Sequence, residues 1–295
     1  MKYAWIAAQR GSWPVRTMCQ VLDVSSSGFY EWLRRPASCR TQEDARLTQC
    51  IQQSFERSGC SYGSPRVWHD LRAAGESCGH NRVARLMRLA GLQARQKRRR
   101  RGSTEQSFGT PAVAQNLLRR DFVAVRPNEK WVGDITYLWT AQGWLFLAAV
   151  MDLYSRRIIG WSMAESMEAS LVVDALHMAV GRRGAPRHLL HHSDQGRQYG
   201  SEEFQNALRL QGITCSMSRR GNCWDNAVME SFFSSLKTER VSRSTYPSRR
   251  HARADVFEYI ERFYNPRRRH STLNFLSPVQ FEEQSRAIAS VRESG

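Results

Sequence analysis

The chain reads as an α/β protein in which a mixed sheet flanked by helices follows an all-helical, strongly basic start. Three observations predict this. Apolar residues recur at helical spacing up to about residue 92, runs rich in Val, Ile, Trp, Tyr and Leu take over from residue 130, and strands and helices then alternate.

Residues 14–35 predict two short helices. Pro14 suits a first helical position, Val15, Met18, Val21 and Leu22 share a face, Ser25 to Gly28 interrupt, and Phe29, Trp32 and Leu33 repeat at i, i+3, i+4. A similar pair covers 64–92, with Val67 and Leu71 on one face, Gly75 at the turn, and Val83, Leu86 and Met87 in the next stripe. Each pair is helix-turn-helix-like, though an ordinary αα-hairpin has the same pattern. Arg95 to Arg101 then reads RQKRRRR, and 102–111 lacks apolar periodicity, which predicts a basic linker. Lys130–Trp139, Trp144–Tyr154 and Arg157–Met163 predict an antiparallel meander with turns at Gln142-Gly143 and Ser155-Arg156. A helix over 171–180, a strand over 188–193, a helix over 202–210, a strand over 213–217 and a longer helix over 227–240 complete the order βββαβαβα. A helix from about Ala252 to Tyr264 and a basic, Pro-punctuated segment to Phe281 end the pattern. The expected divisions are 1–60 and 61–95 for two helical modules, 96–120 for the linker, and 121–285 for the α/β core with its tail.

Charge narrows the function. The 295 residues hold 44 Lys plus Arg against 27 Asp plus Glu, a net +17 with pI near 10.3. Residues 1–120 hold 21 basic and 8 acidic side chains, while 121–295 hold 23 and 19, so a polyanion is expected mainly on the N-terminal part. Arg98, Arg99, Arg100 and Arg101 are candidate phosphate contacts, with a solvated, self-repelling linker as the plain alternative. Seven cysteines without a C-x-x-C pair signal neither a disulfide framework nor zinc. The longest apolar run, Trp144–Met151, is too short to span a bilayer, and a cytoplasmic protein with no membrane partner is expected.

Asp134 lies in the first predicted strand, Asp194 at the carboxyl end of the fourth, and Glu230 one turn into the long helix, with 35 residues between the last two. Carboxylates so placed can converge on hard divalent cations. Spacing alone does not carry this, because the 19 carboxylates after residue 120 produce such pairs by chance. In the long helix Met229, Phe232, Phe233 and Leu236 form the apolar stripe, and Glu230, Ser234 and Lys237 share a neighbouring face. Asp152, His191, His192, Trp224 and Asn226 are secondary candidates, with packing or helix positioning as the alternative for each.

WVGDITY, VMDLYSRRIIGWSM, HHSDQGRQY, RRGNCWDNAVMESFFSSLK and YNPRRRHSTLNFLSP occur in this order. Together they resemble the integrase-like DDE transposases of bacterial insertion sequences, and MKYAWIAAQRGSWPVRTMCQVLDVSSSGFYEW and YGSPRVWHDLRAAG resemble the helical start of the downstream reading-frame product. The resemblance implies a ribonuclease H-like five-stranded core, an acidic triad at Asp134, Asp194 and Glu230 holding two Mg²⁺ ions (Mn²⁺ substituting), and a DNA-contacting Lys237. Arg268 and His270 fall in the family's Y-N-x-x-R-x-H segment, either as DNA contacts or as a fold against the sheet. It also implies DNA cleavage and strand transfer at element ends, a homo-oligomer on DNA, an upstream-frame partner or fusion, and a place at the bacterial nucleoid. A nuclease of the same fold, or a DNA-binding repressor with an inert core, are the rival expectations.

Overall fold

A computed structural model describes residues 1–36, 38–94, 114–184, 186–219 and 223–293. The predicted Arg98 to Arg101 contacts lie outside the described residues.

The N-terminal module has three helices, α1 (Lys2–Gln9), α2 (Val15–Val21) and α3 (Ser26–Arg34). Ile6, Met18, Cys19 and Phe29 form its core, so α1, which the periodicity did not predict, closes the helix pair. The break falls at Leu22–Ser25, earlier than expected. Ser25 is the N-cap of α3, its hydroxyl accepting from the Gly28 N–H at 3.2 Å, which draws Ser26 to Gly28 into the helix. Of the predicted stripe on α3 only Phe29 is buried, Trp32 and Leu33 remaining 39% and 42% exposed.

α4 (Cys39–Arg57), α5 (Ser64–Ala73) and α6 (His80–Leu89) form the second module. Leu47, Ile51 and Phe55 of α4 pack with Val67, Leu71, Val83, Leu86 and Met87 in one cluster, so α4 joins this module, and an expected division at residue 60 cuts through its core. Gly75 makes the turn with φ +87°, a conformation that favours glycine.

The core is a five-stranded sheet in the order β3-β2-β1-β4-β5, formed by β1 (Lys130–Thr140), β2 (Gly143–Asp152), β3 (Arg157–Ala164), β4 (Leu190–Ser193) and β5 (Thr214–Met217). β1, β2 and β3 are antiparallel neighbours, while β4 runs parallel to both β1 and β5. β4 meets β1 only over Lys130–Val132, so β1 runs on past its partner. α7 (Ala169–Arg183) and α8 (Glu202–Leu210) pack on one face with Trp131, Val150 and Ile159. Gly160 permits that approach, since a Cβ there would stand 2.1 Å from the Ala175 carbonyl. On the other face, α9 (Ala227–Glu239) and α10 (Arg249–Phe257) cover Val132, Leu138, Leu145 and Leu147.

α10 continues into a π-helical stretch, Glu258–Tyr264, and after the basic, Pro-punctuated segment comes α11 (Pro278–Glu293), which the sequence pattern did not predict. Glu282 of α11 is 2% exposed and binds Ser155, Arg157 and Arg183, which locks this helix to the β2–β3 turn.

Candidate active site

β1 supplies Asp134 and the turn after β4 supplies Asp194, both half-buried, while Glu230 stands exposed on the first turns of α9. Gly133 brings β1 close to its neighbours, since a Cβ at that position would lie 2.9 Å from His191 Nε2. Asp134 Oδ1 accepts from the Ile135 N–H at 2.7 Å, and Asp194 Oδ1 from the Gly196 N–H at 2.9 Å. Burial, and next the Asp194 charge, push the Asp134 carboxyl well above its ordinary range. Glu230 adds to the rise and Lys237 opposes it. Burial raises Asp194 too. The charges of Asp194 and Glu230 are thus both felt at Asp134.

Among the described residues no three His, Cys, Asp or Glu side chains stand close enough to form a closed metal-ligand set. In chemical type the group fits a hard divalent cation: all donors are carboxylate oxygens, and their mutual repulsion falls when a cation comes between them. Lys237, two turns along α9, holds Nζ 4.9 Å from the centre of the Tyr137 ring, beside β1.

Asn226 positions this helix. It is 6% exposed and its Nδ2 donates to the Gly133 carbonyl at 3.2 Å, tying the turn before α9 to the residue next to Asp134. Trp224 in the same turn is 68% exposed. Sequence reasoning missed Asp225 between them. That residue is 0% exposed and accepts from Asn116 Nδ2, Arg120 Nε and the Arg219 backbone and guanidinium, which holds its carboxyl well below the usual range. The only signal was an acidic residue among the aromatic and amide neighbours of the WDN turn.

Of the secondary candidates, Asp152, His191 and His192 are fully buried. Asp152 is 0% exposed and accepts from the Asn128 and Tyr154 N–H groups, and burial pushes its pKa up to about 6. His191 packs against Tyr199 and Phe204, and His192 Nδ1 lies 2.8 Å from the Ser216 hydroxyl. Arg268 and His270, expected as DNA contacts or as part of the fold, are 5% and 8% exposed. The Arg268 guanidinium pairs with Glu239 at 2.7 Å and the His270 ring lies edge-on to Tyr264, so the geometry favours the fold. In the same segment the Asn265 amide bonds both the N–H and the carbonyl of Ile158, standing in for a strand neighbour beside β3.

The integrase core domain family matches residues 124–223 and a second integrase core family 211–278, while an HTH-like domain family matches 42–100. The transposase InsF for insertion sequence IS3A of Escherichia coli is 44% identical over 97% of this chain and all of its own length. An insertion element IS600 31 kDa protein of Shigella sonnei is 41% identical over 92% of the chain and all of its own. Among solved structures, a simian T-cell lymphotropic virus intasome in complex with PP2A regulatory subunit B56 gamma aligns at TM-score 0.44 and 16% identity, over 79% of this chain and 73% of that one. No described helix is long and apolar enough to cross a membrane. With near-complete, 44% identical likeness to an insertion-sequence transposase, the chain belongs to the insertion-sequence transposase family, with a ribonuclease H-like integrase core as its catalytic domain.

Proposed function

We propose that this transposase cuts DNA at the ends of an insertion sequence and joins the freed 3′-hydroxyl to a target strand, with Asp134, Asp194 and Glu230 as its catalytic carboxylates. The observation that carries this reading is the 44% identity, over 97% of the chain, to an insertion-sequence transposase, and the Asp134 carboxyl, raised by burial and by the charges of Asp194 and Glu230, supports the choice of site. Like charges gathered around one buried carboxyl suit a bound cation. Two Mg²⁺ ions, for which Mn²⁺ substitutes, would supply activation of the attacking oxygen and charge neutralisation at the leaving oxygen.

The chain's own residues supply the rest. Asp134 and Asp194 are held on the sheet by the Ile135 and Gly196 N–H groups, and Asn226 fixes the start of the helix that presents Glu230. Lys237 is placed to hold a DNA phosphate beside the acidic group without serving as a metal ligand, since an ammonium only donates. The helical modules and Arg98 to Arg101 grip the end DNA through its phosphates. Assembly as a homo-oligomer on DNA, fusion to an upstream-frame product and residence at the nucleoid are part of the same proposal.

The test is cleavage and joining of an end-bearing duplex by wild type and by Asp134→Asn, Asp194→Asn and Glu230→Gln, with Mg²⁺ and then Mn²⁺. Loss of both reactions, with folding and DNA binding retained, is expected. Activity within tenfold of wild type in any one variant would show the carboxylates to be misassigned.

A further inference from the structure

Tyr137, Trp139 and Trp144 are 49%, 60% and 46% exposed. They are not scattered. Trp139 is paired with Trp144 across the β1–β2 hairpin, their rings 4.8 Å apart, and the Tyr137 and Trp144 rings are 5.1 Å apart in edge contact. Alternate residues of a strand share a face, so Tyr137, Trp139 and Trp144 project together from the end of the hairpin. Next to them, Leu138 and Leu145 point the other way into the core, which fixes the register and commits the three rings to solvent.

The platform adjoins the acidic site by way of α9. Tyr137 lies three residues beyond Asp134 and so on the opposite face of β1, on a stretch that has already outrun β4, and the helix that carries Glu230 also carries the lysine that meets the Tyr137 ring. Lys237, whose charge is felt at Asp134, holds its ammonium 4.9 Å from the Tyr137 ring centre. A cation lying against the innermost ring of an exposed aromatic row complements a ligand that is flat and apolar in its bases and anionic in its backbone. The net charge of the whole chain, +17, favours the same class of partner.

We propose that Tyr137, Trp139 and Trp144 form a stacking platform for unpaired DNA bases adjoining the acidic site. The proposal rests on the reading of that site as the place of strand cutting and joining, and adds that the DNA is held there with its terminal nucleotides splayed out of the duplex. Aromatic rings bind the π-faces of bases irrespective of sequence, and fully paired DNA shows such faces only at a blunt end. The platform therefore selects for opened ends and draws the strand towards Asp134, while Lys237 meets its backbone.

The test uses the full chain without metal, and two short duplexes identical except that one carries a few unpaired nucleotides at one end, including 2-aminopurine. Wild type is expected to quench the unpaired 2-aminopurine and to bind the opened duplex about tenfold more tightly than the paired one. Trp139→Ala with Trp144→Ala should abolish both effects and leave affinity for the paired duplex in place, whereas Trp139→Phe with Trp144→Phe should restore the preference in part. Equal affinity of wild type for the two duplexes would overturn the proposal. So would a change of oligomeric state in the double alanine variant with the preference intact, because the face would then be a contact between copies. Since no metal or turnover is read, this result is independent of the carboxylate variants: active Asp134→Asn overturns the catalytic assignment without touching the stacking measurement.

Discussion

Asp225 lies in the short turn before the helix that carries Glu230, yet the chain treats its carboxylate and the group formed by Asp134, Asp194 and Glu230 oppositely. Asp225 is enclosed and fully bonded: two arginines, an asparagine amide and a backbone N–H converge on it and hold its proton affinity down. Asp134 has one backbone N–H and two neighbouring negative charges, and its proton affinity rises. Paired and hydrogen-bonded, a buried carboxylate stabilises the fold; pushed against others of its kind, it costs stability and is kept for a ligand. The turn Cys223–Asn226 links the two, since the satisfied Asp225 and the Asn226 bond to Gly133 position the helix that carries Glu230.

This contrast is best broken by exchanging the expected consequences of mutation. Asp134→Asn should reduce end cleavage and joining by about 10⁴-fold or more, because members of a shared centre fail together. Its metal-free thermal stability should equal or exceed that of wild type, since a buried like-charge contact is removed. A marked fall in Tm would put Asp134 in the same structural class as Asp225.

Asp225→Asn should behave the other way round. Loss of a buried ion pair typically costs 3–5 kcal/mol, and because Arg120 and Arg219 are 45% and 58% exposed and can return to water, about 3 kcal/mol is expected in urea denaturation. Stability unchanged within about 0.5 kcal/mol, the usual range for a neutral surface change, would show that the network only decorates the turn.

Lys237→Ala should lower the rate about 100-fold through misplacement of the DNA, with the metal requirement unchanged. Titrating Mg²⁺ and end DNA separately checks this. A variant that needs more metal but aligns the end normally would move Lys237 into the support of the acidic group.

The effect that builds most gradually, with pH, concerns His191, buried beside Gly133, whose pKa burial pushes down to about 3. The unfolded histidine takes its proton near pH 6.5 while the folded one stays neutral, so this residue's contribution is complete above pH 6.5 and is lost as pH falls towards 3. The slope it adds is about 1.4 kcal/mol per pH unit between roughly pH 6 and 4. His191→Leu should flatten the acid limb of the stability curve by that amount, measured by denaturant titration at several pH values. An unchanged limb would mean that the ring is solvated in the folded protein.

Most of the core was legible because its signals are local. β1 to β3 are rich in β-branched and aromatic residues, and α9 announces itself by Met229, Phe232, Phe233 and Leu236 at helical spacing. α4 was not legible, since its 19 residues bury only Leu47, Ile51 and Phe55 among large apolar side chains, a stripe too thin to stand out before its partners are known. The exposed row on the β1–β2 hairpin was also hidden: Tyr137, Trp139 and Trp144 read as ordinary strand formers until the helices on that face prove not to cover them.

By itself the sequence determined the kinds and order of the core elements, the candidate acidic residues, and the seven-residue step that sets Lys237 beside Glu230, because periodicity and helical geometry act within a few residues. Tertiary structure alone decided which charges are satisfied. Asp225 with Arg120, Arg268 with Glu239, and Glu282 with Ser155 and Arg183 join residues as much as 127 positions apart. No local period encodes such a meeting; it follows from the packing of α9, α11 and the tail against a sheet whose own order is not the order of the chain.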